Sequence, residues 1–129
     1  MATSKPKMED EIERSQWQGF LDQFSKRNQR RPTRLEVVSL DLGAQEAERL
    51  APFVGASFEP KGSEAGSVEI YLGGESMADA RQLNHLIERV EHIYPLAGIS
   101  GIEDGLGIVD ADGNRTLLLF ETPAALPGS

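Results

Sequence analysis

The sequence predicts an α+β domain, with an N-terminal amphipathic helix packed on a curved, mostly antiparallel sheet of five to six strands. Three observations carry that prediction. Apolar residues near the start recur at helical spacing. From residue 34 onward the apolar runs are mostly short, alternating and bounded by Gly or Pro. An Asp-Gly step, Asp112-Gly113, separates the last two runs, and Gly accepts the positive φ that a tight hairpin turn requires.

Trp17, Phe20, Leu21 and Phe24 fall at i, i+3, i+4 and i+7 and form one stripe. Ser15 and Gln18 have capping-box spacing, so the helix is expected to start there. Gly19 weakens it by about 1 kcal/mol relative to Ala. Lys26 and Arg27 suit the negative end of the helix dipole. Trp17 opens the stripe and is therefore read as a core anchor.

After Pro32 the period changes to two. Residues 34–40 read as a strand with Val37, Val38 and Leu40 buried on both sides for part of its length. Residues 41–50 fit either a short helix started by Asp41 or an irregular extended connection, and Pro52 is expected to end them. Residues 53–59 and 67–72 read as further strands, joined through a turn at 60–66 and closed by Gly73-Gly74. Gly105–Val109 and Thr116–Phe120 are the two arms of the final hairpin. Residues 1–13 are expected to be a disordered N-terminal segment, 14–121 a single domain and 122–129 a loose tail.

Residues 77–94 are ambiguous. Ala80, Leu83, Leu86 or Ile87, Val90 and Ile93 or Tyr94 match a helical period. Alternation fits in pieces, through Leu83, His85 and Ile87, then Val90, His92 and Tyr94. By count, helix is the better match.

Several ordered segments carry a resemblance. They are residues 17–25, Leu35-Glu-Val-Val38, Leu42-Gly-Ala-Gln45, Pro52-Phe-Val-Gly-Ala56, Val68-Glu-Ile70, Leu83-Asn-His-Leu-Ile87, and Asp112-Gly113 followed by Thr116-Leu-Leu118. Together the chain resembles a family of short bacterial proteins of unknown function. The resemblance implies an architecture and no mechanism. It also implies an extended backbone where periodicity suggests helix, through a Leu-Thr-His-x-Ile pattern followed by Pro; in this chain the next proline is Pro95. Strands at 83–88 and 91–95 are the expectation, with helix as the rival.

Composition narrows the chemistry. The 129 residues carry 13 Lys+Arg against 21 Asp+Glu, a net charge of −8, and no cysteine. Absent thiols exclude disulfides, thiolate metal sites and cysteine nucleophiles. No apolar stretch approaches the roughly 18 residues of a membrane span, and the polar start is unlike a secretory signal, so a cytoplasmic location is expected. Net negative charge argues against nucleic acid as a partner.

No complete catalytic constellation appears. There is no Gly-x-Ser-x-Gly elbow, no Ser-x-x-Lys and no phosphate loop; residues 98–107 are Gly-rich but lack the Lys-Ser/Thr ending. Asp110, Asp112, Asn114 and Glu121 echo a calcium loop, but Arg115 stands where its glycine belongs. His85 and His92 are too few for a zinc site without further ligands. No metal and no cofactor is expected. A basic cluster, Lys26, Arg27, Arg30, Arg31 and Arg34, stands out in the acidic chain. The leading expectation is a non-enzymatic interaction or accessory module, acting with a protein partner or as a homodimer. The alternative is a small-anion-binding protein or weak enzyme using His85 with Arg30, Arg31 or Arg34.

Overall fold

The computed structural model describes residues 11–39, 43–61, 66–73, 82–97 and 103–121. Near its start the apolar stripe does what helical spacing dictates. Helix α1 (Trp17–Arg27) buries Trp17, Leu21 and Phe24, and Phe20 packs against the same core from a partly buried position. Its entry differs from the expected capping box. A 3₁₀ turn (Arg14–Gln16) leads in, and the N-cap Gln16 makes no side-chain cap hydrogen bond. Trp17 fixes the entry instead, because its indole N–H donates to Ile12 O at 2.8 Å. At the other end, the N–H of buried Asn28 donates to Phe24 O at 3.2 Å, and its Nδ2 adds a second donor to the same carbonyl at 2.9 Å.

Strands follow in the order β1 (Pro32–Ser39), β2 (Gly43–Glu59), β3 (Ser67–Gly73), β4 (Gln82–Ile87), β5 (Val90–Ala97), β6 (Glu103–Asp110) and β7 (Arg115–Phe120). They form one seven-stranded sheet of order β4-β3-β2-β1-β7-β6-β5, with every pairing antiparallel. The α+β expectation holds, with seven strands where five to six were expected.

The 17-residue β2 corrects two expectations. Residues 43–50 are strand, not a short helix, and Pro52 does not end them. β2 pairs with β1 up to Pro52 and with β3 from Phe53 onward. Pro52 therefore sits where the ladder changes partner, a place that tolerates the missing N–H. Pro95 lies in β5, which is an edge strand and tolerates proline for the same reason.

From 82 to 94 the chain is extended, and the helical rival is overturned there; residues 77–81 lie outside the described set. The break comes at Glu88-Arg89. Arg89 has φ 52, and a single left-handed residue turns the chain but cannot propagate a right-handed helix. β4 and β5 stand at opposite ends of the strand order, yet only these two residues join them. The sheet must therefore curl until its edges meet at this corner. Val90 N–H donates to Gly66 O at 2.9 Å, Ala111 N–H donates to Arg89 O at 2.8 Å, and Arg89 pairs with Asp112 at 2.8 Å.

The curl wraps both halves of the sheet around the helix. Trp17 meets Phe58 edge-on at 5.1 Å, and Phe24 lies 5.7 Å from both Phe53 on β2 and Phe120 on β7. Val68, Ile70, Leu72, Ile93, Leu106, Ile108 and Leu118 complete the inner face. Ser25 Oγ accepts from Ala56 N–H at 2.9 Å and donates to Leu21 O at 2.7 Å, which ties the helix to β2.

The last hairpin forms as its Asp-Gly step suggests. Gly113 has φ 85, and Asp110 Oδ1 accepts from the amides of Asp112 and Asn114 at 2.9 and 3.0 Å. The expected loose ends at 1–10 and 122–129 lie outside the described residues. Residues 11–13 are described, and Ile12 N–H donates to Ile93 O at 2.8 Å on the outer edge of β5.

Candidate functional site

The arginine cluster is divided among separate local tasks. Arg30 occupies a left-handed position, φ 72, in the turn after α1, and its N–H donates to Phe53 O at 2.8 Å. Arg31 donates from Nη1 to Asn28 Oδ1 at 2.8 Å, and its guanidinium carbon lies 4.2 Å from the Phe120 ring centroid. That arrangement closes the aromatic core below the turn by a cation–π contact. Arg34 faces the opposite side of the sheet. Its Nη1 lies 3.0 Å from Glu121 and its Nε 3.7 Å from Glu36.

His85 stands on β4 opposite Ile70, at the rim of the inner face. β2 and β3 separate β4 from β1. His85 on β4 and Arg34 on β1 therefore lie on opposite faces with two strands between them, and Arg31 packs on Phe120 of β7. His92 is on β5, where its Nδ1 lies 2.6 Å from Glu11 Oε2. Among the described residues no three His, Asp or Glu side chains converge as a metal site would need. The Asp110 carboxylate, which suggested a calcium loop, accepts hydrogen bonds from its own turn. Of the Gly-rich stretch, 98–102 lies outside the described residues and 103–107 is strand.

The feature that the geometry does bring together is the outer face of β1, β7, β6 and β5. Antiparallel register places directly opposite residues on one face. Three outward rows follow: Arg34–Leu119–Gly105–Leu96, Glu36–Leu117–Gly107–Tyr94, and Val38–Arg115–Val109–His92. Val38, Tyr94, Leu96, Val109, Leu117 and Leu119 are all partly exposed there. The Tyr94 ring lies over Gly107, where an added Cβ would come within 2.5 Å of it. Gly105, also without a side chain, is buried between Leu119 and Leu96, with the Leu118 carbonyl where its Cβ would stand. Charged groups border the patch: Arg34 with Glu36 and Glu121 on one side, Arg115 and the His92–Glu11 pair on another.

None of the candidate residues above lies at the centre of this face, although its signal is present in the sequence. Thr116-Leu-Leu-Leu-Phe120 has apolar side chains at both odd and even positions. An unbroken apolar run in a strand signals cover on both faces. α1 and the inner core explain Leu118 and Phe120; among the described elements nothing explains Leu117 and Leu119.

The fold and this face define a class: a small α+β protein whose curled antiparallel sheet packs its inner face on one amphipathic helix and presents partly exposed apolar side chains outside. Residues 8–129 match the model of a family of unknown function (DUF5335), and the chain belongs to that family. No curated protein and no solved structure matches it. No described helix is long and apolar enough to cross a membrane.

Proposed function

We propose that this chain is a non-enzymatic interaction module that works by laying the outer face of β1, β7, β6 and β5 against another polypeptide surface. One observation carries the reading. Six apolar side chains from these strands share a face that lies on the side away from the helix. Contiguous apolar patches of this kind, rimmed by charge, mark interaction sites in proteins that otherwise keep such groups inside. Rigid strands present the patch, so little ordering cost opposes docking.

The test is an amide NMR spectrum of isotope-labelled chain in dilute buffer and in unlabelled cell extract. The reading expects broadening or shifts concentrated on β1, β5, β6 and β7, with β3 and β4 little changed. Uniform behaviour of all strands in the extract contradicts it.

A further inference from the structure

We infer that residues 11–14 are a displaceable strap on the outer edge of β5, and that this edge takes an extended segment of another polypeptide in which a carboxylate precedes an aliphatic residue, as Glu11 precedes Ile12. This edge is distinct from the outer face proposed above.

β5 ends the strand order, so its outer row of backbone groups has no neighbouring strand in the sheet. Ile12 stands in for one. Its N–H donates to Ile93 O at 2.8 Å, the bond that a strand added there would make. Glu11 Oε2 lies 2.6 Å from His92 Nδ1. The Ile12 side chain packs, partly buried, against the core. The register from Ile93 to Pro95 runs without a shift, so these two residues turn their main-chain groups outward alike. Pro95 has no N–H to give. The receptive stretch is therefore short and centres on Ile93. The strap displays the pattern that fits it: a main-chain donor on Ile93, a carboxylate on His92 and an aliphatic side chain against the core.

The holds on the strap are uneven. On its C-terminal side Ile12 O accepts the Trp17 indole N–H at 2.8 Å, and Arg14 Nη1 reaches Val90 O at 3.5 Å. The Arg14 guanidinium also lies 4.9 Å from the Trp17 ring centroid and 5.4 Å from that of Phe58. On its N-terminal side the holds among the described residues are the Ile12 N–H and the Glu11–His92 pair, whose side chains are 25% and 42% exposed. An incoming segment reproduces both. Segments held by few buried contacts open locally while the core stays closed. A tethered strap competes at high effective concentration, so an outside segment binds weakly until the strap is weakened.

The probe is a synthetic peptide of residues 8–14, Met8-Glu-Asp-Glu-Ile-Glu-Arg14, titrated into the isotope-labelled full chain and read by amide NMR. It should shift Glu91, His92, Ile93 and Tyr94 and leave β3 unchanged. Ile12→Pro in the chain removes the strap's donor and should tighten peptide binding about tenfold. Glu11→Lys in the chain leaves the apolar contact of Ile12 in place and should tighten it about threefold, which keeps the test open where Ile12→Pro disturbs the fold. The peptide carrying Glu11→Lys should bind about tenfold more weakly than the parent peptide, since it loses the contact with His92. Absence of any shift on β5 in the folded variants overturns the inference. So does equal affinity for parent and variant chains, because strap and peptide then do not compete. A parent chain that dimerises on concentration, and fails to in Ile12→Pro, puts a second copy's strap on the edge and overturns the outside partner. If the extract perturbs β1, β6 and β7 while the peptide leaves β5 unmoved, the module reading stands and this inference falls.

Discussion

The two halves of the sheet share one inner core but differ on their outer faces. Beyond the change of partner in β2, the outward positions of β2, β3 and β4 include Ser57, Glu69 and Asn84, with Tyr71 hydrogen-bonded to Glu69 and Leu86 exposed beside them. Across β1, β7, β6 and β5 the corresponding positions are Leu117, Leu119, Val109, Val38, Tyr94 and Leu96. One half follows the ordinary rule of an antiparallel sheet, apolar inside and polar outside, except at the exposed Val54 and Leu86. The other breaks it on four adjacent strands. Because both halves use the same helix and the same aromatic cluster, folding alone does not require the difference. The interaction module proposed above would account for it by a demand from outside the fold.

β7 allows the sharpest attempt to break this comparison, because its two faces can be tested one residue apart. Phe120→Ala opens the cluster around Phe24 and Phe53 and should cost about 3–5 kcal/mol, read by denaturant titration. Leu119→Ala should cost less than about 1 kcal/mol in the dilute monomer, since its face is not packed there. Equal losses would show that the outer face is already covered within one chain.

Next in size is Gly105→Ala. Its Cβ would lie 2.0 Å from Leu118 O, so β6 and β7 must shift apart, and about 2 kcal/mol of stability should be lost in a thermal melt. The same change should distort the patch, because Gly105 joins Leu119 to Leu96 across it. A stable Gly105→Ala protein with unchanged melting would show that the strands are less closely spaced than described.

A smaller effect is expected at the corner where the two halves meet. Arg89→Gly relieves a left-handed backbone position and should leave stability unchanged or raise it by up to about 1 kcal/mol. Its exposed ion pair with Asp112 offsets little of that gain. Arg89→Val should destabilise by about 1–2 kcal/mol, since a β-branched residue suits φ 52 poorly. The smallest effect belongs to Asp112→Ala, below about 1 kcal/mol, because both partners are mostly exposed.

Much of this fold was legible in the residues. The helical stripe of Trp17, Phe20, Leu21 and Phe24, the alternation of Val68, Ile70 and Leu72, and the Asp112-Gly113 hairpin all express local rules. The strands at 82–97 were harder, since Leu83, Leu86 or Ile87, Val90 and Ile93 also satisfy a 3.6 period. Nothing local announces that Arg89 will turn left-handed; the amides of Val90 and Ala111, bonded across the corner, hold it there. Pro52 misled for a related reason, since only the sheet order shows that the ladder changes partner beside it. Arg30, Arg31 and Arg34 read as a cluster in sequence, yet the turn after α1 sends Arg31 to Phe120 and Arg34 to Glu36 and Glu121. The outer patch was half legible. Its leucines are adjacent in sequence, but that Leu117 and Leu119 share a face with Tyr94 and Leu96 is a matter of register.

Carbene footprinting tests the outer patch most directly, because it labels exposed side chains on both faces of the sheet in one sample. The account predicts that the partly exposed Tyr94, Leu96, Leu117 and Leu119 label in dilute chain and lose most of that label in cell extract, while Leu86 and Tyr71 keep theirs. Equal protection of both sets, or persistent labelling of Leu117 and Leu119 under every condition, would contradict it.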